Sequence, residues 1–517
     1  MGVKVISKEE AANLIQDGQM IANGGFVGCN VAETLLRGLE ERFLKTGSPK
    51  NLSLIHAAGQ GDGGDRGVNR LGHEGFLKRV IGGHFNLAPK VGKLVVTNKI
   101  EAYNFPQGVI THMFRDIASK RVGTITHVGL NTFVDPRVEG GKLNAKTTED
   151  LVEIININGQ ERLFYKPHKL DVAFIRGTYA DEKGNVAMTH EAVTGETLSI
   201  AQAVRNCGGT VFVQVEKIVK AGSLDPRLVK IPGICVDYLV IAETEADKEV
   251  YFTSPYDPSL CGDAKVPVSS LTPLSLNERK IIGRRAAAEL TSGTVVNLGI
   301  GMPESVSSVA SEEGIGDYMT LTVEAGPIGG VPVGGKGFGA SVNPECIIDQ
   351  AYQFDFYDGG GIDLAFLGLA QADEKGNINV SKFGTRLAGC GGFVNITQNA
   401  KRVFFLGTFT AKGLEIKAEN GKLTILNEGS EKKFLKQVEQ ITFSGEYAVK
   451  NKLPVMYITE RAVFELREGG LCLTEIAPGI DLQKDVLDLM DFKPQIAEPL
   501  KKMDAKLFMD GLVGLKK

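Results

Sequence analysis

No Cys-x-x-Cys pair occurs in this 517-residue chain, whose seven cysteines (Cys29, Cys207, Cys235, Cys261, Cys346, Cys390 and Cys472) lie far apart. That excludes a zinc knuckle, and an odd set of scattered thiols suits a reducing compartment. No apolar run approaches bilayer-spanning length, and the start MGVKVISKEE lacks the apolar core of a signal peptide. Ile6 also stands where a myristoylation signal wants Ser or Thr. A cytoplasmic location is expected, without membrane attachment. Massed basic charge is missing as well. With 58 Lys and Arg against 62 Asp and Glu the net charge is −4, and the lysines are scattered, so nucleic acid is not an expected partner. Histidine is absent from the second half, since all seven lie between His56 and His190. Each is read first as a structural or surface imidazole.

What the chain does have is internal repetition. DVAFIRGTYADEKGNV (residues 171–186) resembles DLAFLGLAQADEKGNI (363–378), and DGQMIANGGF (17–26) resembles SGTVVNLGIG (292–301). LSLIHAAGQG (52–61) lies on MTLTVEAGPI (319–328), which pairs Gly59 with Gly326 and sets Glu324 opposite Ala57. Repeats of this length predict two homologous domains. A Pro-rich stretch at 254–274, with Pro255, Pro258, Pro267 and Pro273, marks the boundary. The expected arrangement is a first domain at 1–253, a linker at 254–274 and a second domain at 275–517.

Elements alternate along both halves. Ser7 with Glu10 reads as a capping box opening a helix through Gln16, and Ser275 with Glu278 repeats it before a helix over 281–290. Apolar strands at 20–22 and 295–298 end in glycine turns, and Leu35, Leu36, Leu39 and Phe43 give 31–43 helical spacing. Further short apolar runs at 211–215, 238–242, 402–407 and 455–459 predict sheet strands buried on both faces. The fold class is α/β, with two homologous open domains and the active site expected at strand carboxyl ends and at the interface of the domains.

Glu324 is the leading candidate residue. LTVEAGPIGG (321–330) delivers one carboxylate from an apolar run into a turn containing Gly326, Gly329 and Gly330. Glycine there leaves room for a bulky substrate and for backbone N–H groups. The plainer alternative is a surface Glu opening an ordinary turn, and the repeat argues against it, because only the second copy carries the acid. Three other motifs compete. GGVPVGGKGFG has a phosphate-loop spacing through Gly330, Gly335 and Lys336, but Gly337 replaces the magnesium-binding Ser or Thr. Neither NGGFVG nor NLGIGMP reads Gly-x-Gly-x-x-Gly, and Pro303 interrupts the second. Cys390, in AGCGGFVNI, has no local histidine base and reads as a small buried thiol.

These residues carry a family resemblance over essentially the whole chain. Glu324-Ala325-Gly326-Pro327-Ile328-Gly329 resembles the nucleophile signature of the family I coenzyme A transferases, and Ala325 agrees with their propionate and acetate branch. DGQMIANGGFVGC is similar to their amino-terminal signature, with Asn30 and Ala32 where Gly and Pro are usual. EAYNFPQG resembles the segment whose glutamine, here Gln107, faces the reacting carboxylate, and GLNTFVDPR is like the propionate branch. The resemblance implies CoA transfer between acyl-CoA and short-chain monocarboxylates (propionate, acetate, butyrate, lactate, acrylate) by ping-pong kinetics through a glutamyl-CoA thioester on Glu324. With an ordinary pKa of about 4.3, that carboxylate would be ionised at neutral pH without a separate base. By the same resemblance the oxyanion donors are backbone N–H groups of Ile300 and Gly392 with the Gln107 side chain. Gly301, Gly391 and Gly392 would lie along CoA. No metal and no tightly bound cofactor are implied, CoA being substrate, and a homodimer or homotetramer is expected. An acyl-CoA hydrolase on the same scaffold and a non-catalytic acyl-CoA sensor are the alternatives.

Overall fold

Apolar runs that end in glycine turns build one parallel sheet in each half of the chain. The computed structural model describes residues 3–267 and 273–516, so 268–272 of the Pro-rich connection lie outside the described residues. The first compact unit comprises Met1–Val266, Val323–Phe356 and Phe383–Asn395, and the second comprises Pro267–Thr322, Tyr357–Lys382 and Ile396–Lys517. The passage at 266–267 falls inside the expected connection. The carboxyl half is not one uninterrupted body, because the segments holding Glu324 and the 389–392 glycines belong to the first unit. Backbone hydrogen bonds tie these segments to that unit, Gln350 N–H to Gly195 O at 2.9 Å and Gly391 N–H to Gly83 O at 2.7 Å.

In the first unit eight strands pair in parallel: β1 (Lys4–Val5), β2 (Met20–Asn23), β3 (Leu52–His56), β4 (Leu77–Gly82), β5 (Glu101–Asn104), β6 (Val172–Arg176), β7 (Thr210–Val215) and β8 (Tyr238–Ile241). Their order is β1-β8-β7-β6-β2-β3-β4-β5. β2, β3 and β6 are buried along their whole length, as strands covered on both faces must be. Helix α1 (Lys8–Leu14) opens on the expected capping box: Glu10 N–H donates to Ser7 Oγ at 3.1 Å and Ser7 N–H to Glu10 Oε2 at 2.8 Å. Helix α2 (Glu33–Thr46) starts later than its apolar spacing suggested, since Ala32 offers no capping side chain. Asn30, where the resemblance expects glycine, takes φ of 56° itself, a conformation Asn tolerates.

The second unit contains β9 (Thr294–Leu298), β10 (Met319–Thr322), β11 (Leu364–Gly368), β12 (Arg402–Leu406), β13 (Val455–Ile458), β14 (Ala462–Arg467), β15 (Gly470–Ile476) and β16 (Gln495–Lys502). The order runs β10-β9-β11-β12-β13-β14-β15-β16, parallel as far as β13, with β14 antiparallel to both its neighbours. The helix before β9 corrects the sequence reading. It spans Glu278–Ala287 and is capped by Asn277, whose Oδ1 accepts from Lys280 N–H at 3.1 Å; Ser275 Oγ only receives the Asn277 side chain. Both residue types cap well, and the one nearer the first turn wins.

The repeats recur in strand order and in equivalent hydrogen bonds. β10-β9-β11-β12-β13 follows the same spatial order as β3-β2-β6-β7-β8. Asp171 accepts from Met20 N–H at 2.9 Å and Asp363 from Val295 N–H at 2.8 Å. Asp181 accepts from the amides of Lys183 and Asn185, and Asp373 from those of Lys375 and Asn377, at 2.9 to 3.0 Å. β4 and β5 have no counterpart in this set.

Candidate active site

Strands β3, β4 and β5 of the first unit end side by side, and each contributes a turn to one spot. After β3 comes Ala57. After β4 come Gly83 and His84, and after β5 come Phe105, Pro106 and Gln107, the first residue of the helix Gln107–Ala118. Asn104, fully buried, ties these turns to the 389–392 loop: its Nδ2 donates to Gly82 O at 2.8 Å and Gly83 O at 2.7 Å, and its Oδ1 accepts from Cys390 N–H at 2.9 Å. Two further backbone bonds close the loop on the same turns, Gln107 N–H to Gly391 O at 2.9 Å and Phe85 N–H to Ala388 O at 2.6 Å. A buried amide side chain with all its groups matched fixes geometry at little cost.

Glu324 lies against this loop. A carbon built on Gly392 would stand 3.0 Å from Glu324 Cγ, 3.3 Å from its Oε1 and 3.2 Å from the Phe354 ring, so glycine lets the carboxylate and the loop backbone meet without either neighbour shifting. Gly392 N–H takes part in none of the bonds that hold the loop, whereas Gly391 N–H is spent on Gly83 O. Gly389 needs its own left-handed φ of 87°, and a side chain there would strike Gly83 O and His84 at 2.9 Å. From below, Gln353 Nε2 donates to Val323 O at 3.1 Å, and Val323 and Ala325 pack into an apolar cluster with Phe26, Ala192 and Ala340.

The side chain of Glu324 is partly exposed, yet its Oε2 is cut off from solvent and has no hydrogen-bond partner among the described residues. Burial pushes its pKa up to about 7, offset in part by its own backbone N–H. The sequence reading of an ordinary, fully ionised carboxylate is therefore corrected: near neutrality the group is divided between its two forms. Gln107 supplies the matching vacancy. It is buried, its Nε2 has no partner among the described residues, and its Oε1 lies 3.7 Å from a carbon built on Gly391. An unmatched acceptor and an unmatched donor share one glycine-lined site, which is costly unless a ligand completes both.

Of the residues singled out from sequence, Glu324, Gln107, Gly391 and Gly392 belong to the first unit and gather there. Ile300 and Gly301 belong to the second, after β9, with Ile300 exposed and Gly301 at φ of 84°. Cys390 is buried and its thiol is pushed well up by desolvation, which matches an inert packing role. The GGVPVGGKGFG stretch forms a hairpin, Val331–Pro332 against Ser341–Val342, and lacks the strand-to-helix frame of a phosphate loop. His84 is the residue missed. Its imidazole sits between Gly59 and the 389–391 glycines, and the only sequence signal is a Gly-Gly-His at the end of a strand.

The chain has clear relatives among known proteins. The coenzyme A transferase family profile matches residues 5–242. The caffeate CoA-transferase of Acetobacterium woodii is 49% identical over 520 residues, covering 99% of this chain and 98% of that one. The acetate CoA-transferase YdiF of Escherichia coli K12 is 44% identical over 513 residues, covering 99% and 96%. Among solved structures, the acyl-CoA transferase YdiF of Escherichia coli O157:H7, in a thioester complex with CoA, superposes with a TM-score of 0.93 at 43% identity, covering 99% of this chain and 97% of that one. The chain belongs to the family I coenzyme A transferases.

Proposed function

We propose that this protein transfers CoA between an acyl-CoA and a free short-chain monocarboxylate, by ping-pong kinetics through a thioester on Glu324. The observation that carries the reading is the pair of unmatched groups, Glu324 Oε2 and Gln107 Nε2, on side chains that border Gly392 and Gly391 respectively. A relative of known structure holds a thioester complex with CoA. The ionised Glu324 attacks the acyl-CoA carbonyl and releases CoA thiolate, leaving an acyl-glutamyl anhydride. The thiolate adds to the glutamyl carbonyl, the acid departs, and an incoming carboxylate reverses the steps. Gln107 Nε2 and Gly392 N–H serve the developing oxyanions, with Ile300 N–H nominated by resemblance. Removing one such donor costs roughly 3 kcal/mol. Gly301, Gly391 and Gly392 are the proposed backbone surface for CoA. One thioester is exchanged for another, so no nucleoside triphosphate and no tightly bound cofactor enter the scheme.

Incubation with propionyl-CoA alone, followed by peptide mass spectrometry, tests this. The expected result is a CoA-sized thioester on the Glu324 peptide, absent from Glu324→Ala and discharged by acetate to acetyl-CoA. Acyl-CoA bound without any adduct would remove Glu324 as nucleophile and favour a sensor; discharge by water alone would favour a hydrolase. The acceptor panel should extend from acetate, propionate, butyrate, lactate and acrylate to an aromatic acid, because the caffeate enzyme is 49% identical. One methylene changes binding by only about 1–3 kcal/mol, so several acids should be accepted.

A further inference from the structure

We propose that His84 is a second side-chain donor at this site, its imidazole N–H polarising the carbonyl oxygen of the acyl group under attack. The inference rests on the reading of Glu324 as nucleophile. Three glycines from two chain segments make room for this residue, Gly59 and Gly391 for the ring and Gly389 for its Cα. Carbons built at these glycines would stand 2.7 Å from His84 Nδ1 at Gly59, 2.9 Å from His84 Cα at Gly389 and 3.9 Å from His84 Cδ2 at Gly391. The carbon at Gly391 would also lie 3.7 Å from Gln107 Oε1, so imidazole and amide border the same residue, and Gly392 beside it touches Glu324. Cδ2 is thus the ring atom closest to Gly391, on the loop whose next residue meets the carboxylate.

Two properties fit the role. The ring makes no hydrogen bond among the described residues and keeps partial solvent access, so an N–H is on offer. Enclosure, with His56 and Arg386 adding to it, holds the imidazole down to about 4, so it is neutral at working pH. A cation here would lower the Glu324 carboxylate and weaken it as a nucleophile. A neutral ring avoids that and still donates one N–H, the way a neutral histidine polarises a carbonyl elsewhere. When Glu324 adds to the thioester carbon, negative charge collects on the carbonyl oxygen and then returns to expel CoA thiolate. When the thiolate adds to Glu324 Cδ, charge collects on a glutamyl oxygen and then expels the acid. His84 keeps its proton in both steps and lends only a hydrogen bond.

The test is rapid-quench measurement of Glu324 thioester formation from propionyl-CoA in wild type, His84→Leu and His84→Gln, with CoA affinity and thermal midpoint measured alongside. His84→Leu should slow the covalent step about 10²–10³-fold with CoA affinity nearly unchanged, and His84→Gln, which keeps an N–H donor, should recover at least about tenfold. If leucine prevents folding, His84→Met replaces it. A leucine or methionine variant as fast as wild type, or a glutamine variant as slow as the apolar one, overturns the proposal. Wild-type protein that forms no thioester overturns the Glu324 reading itself.

Discussion

A carboxyl that burial holds at a pKa of about 7 reacts only through its ionised fraction below that pH, and this is the situation of Glu324. For the free enzyme with propionyl-CoA, kcat/KM should rise about tenfold per pH unit up to neutrality and level off above it. A profile flat down to about pH 5 would mean that the carboxylate is solvated after all. The raised value also suits the chemistry, since a carboxylate less content with its surroundings is the better nucleophile. Glu324 could be found in the sequence because it is an acid unique to one of two repeats. Its protonation could not, because the burial of one oxygen depends on tertiary packing that no local motif encodes. His84 escaped for a similar reason: its chemistry comes from glycines at 59, 389 and 391, none of them its near neighbours in sequence.

At the scale of elements, the 389–392 loop is held by backbone bonds and Asn104, and it meets Glu324 only through a missing side chain at Gly392. Gly392→Ala would press a methyl onto Glu324 Cγ and the Phe354 ring. The expected effect is a fall in the rate of thioester formation of about 10²-fold, the scale of a misplaced reacting group, with little change in thermal midpoint. Equal rates would show that the carboxylate can shift without cost. Secondary structure was readable where one local rule acted alone, as at the Ser7 capping box. It was misread at 275–278, where Asn277 competes with Ser275 for the same helix end. The strands read at 20–22, 211–215 and 402–407 lie within a residue of those observed, but their neighbours in the sheet were not legible, because pairing is decided by packing between distant segments.

For the whole molecule, buried carboxyls set a dependence of stability on pH. Glu196 is 1% exposed, and neither of its oxygens has a partner among the described residues. Burial, with Asp349 adding to it, pushes it up to about 8. A folded value above the unfolded one means the stabilisation is complete below about pH 4 and is lost as pH rises toward 8, at up to about 1.4 kcal/mol per unit. The urea midpoint should therefore fall between about pH 5 and pH 8.5, and fall less in Glu196→Gln. An unchanged slope in the variant would show that Glu196 ionises normally.

The duplicated architecture has an arithmetic consequence. Ala57, opposite Glu324 in the repeat, is fully enclosed, and its carbonyl oxygen lies 2.0 Å from where a side chain on Gly83 would begin. That position carries a methyl group and no nucleophile. The turns after β3, β4 and β5 instead furnish the surroundings of the single acid on the later copy. Each 517-residue chain should then accept one covalently held CoA and no more, so titration with excess propionyl-CoA should plateau at one equivalent per chain, whatever the number of chains in the assembly.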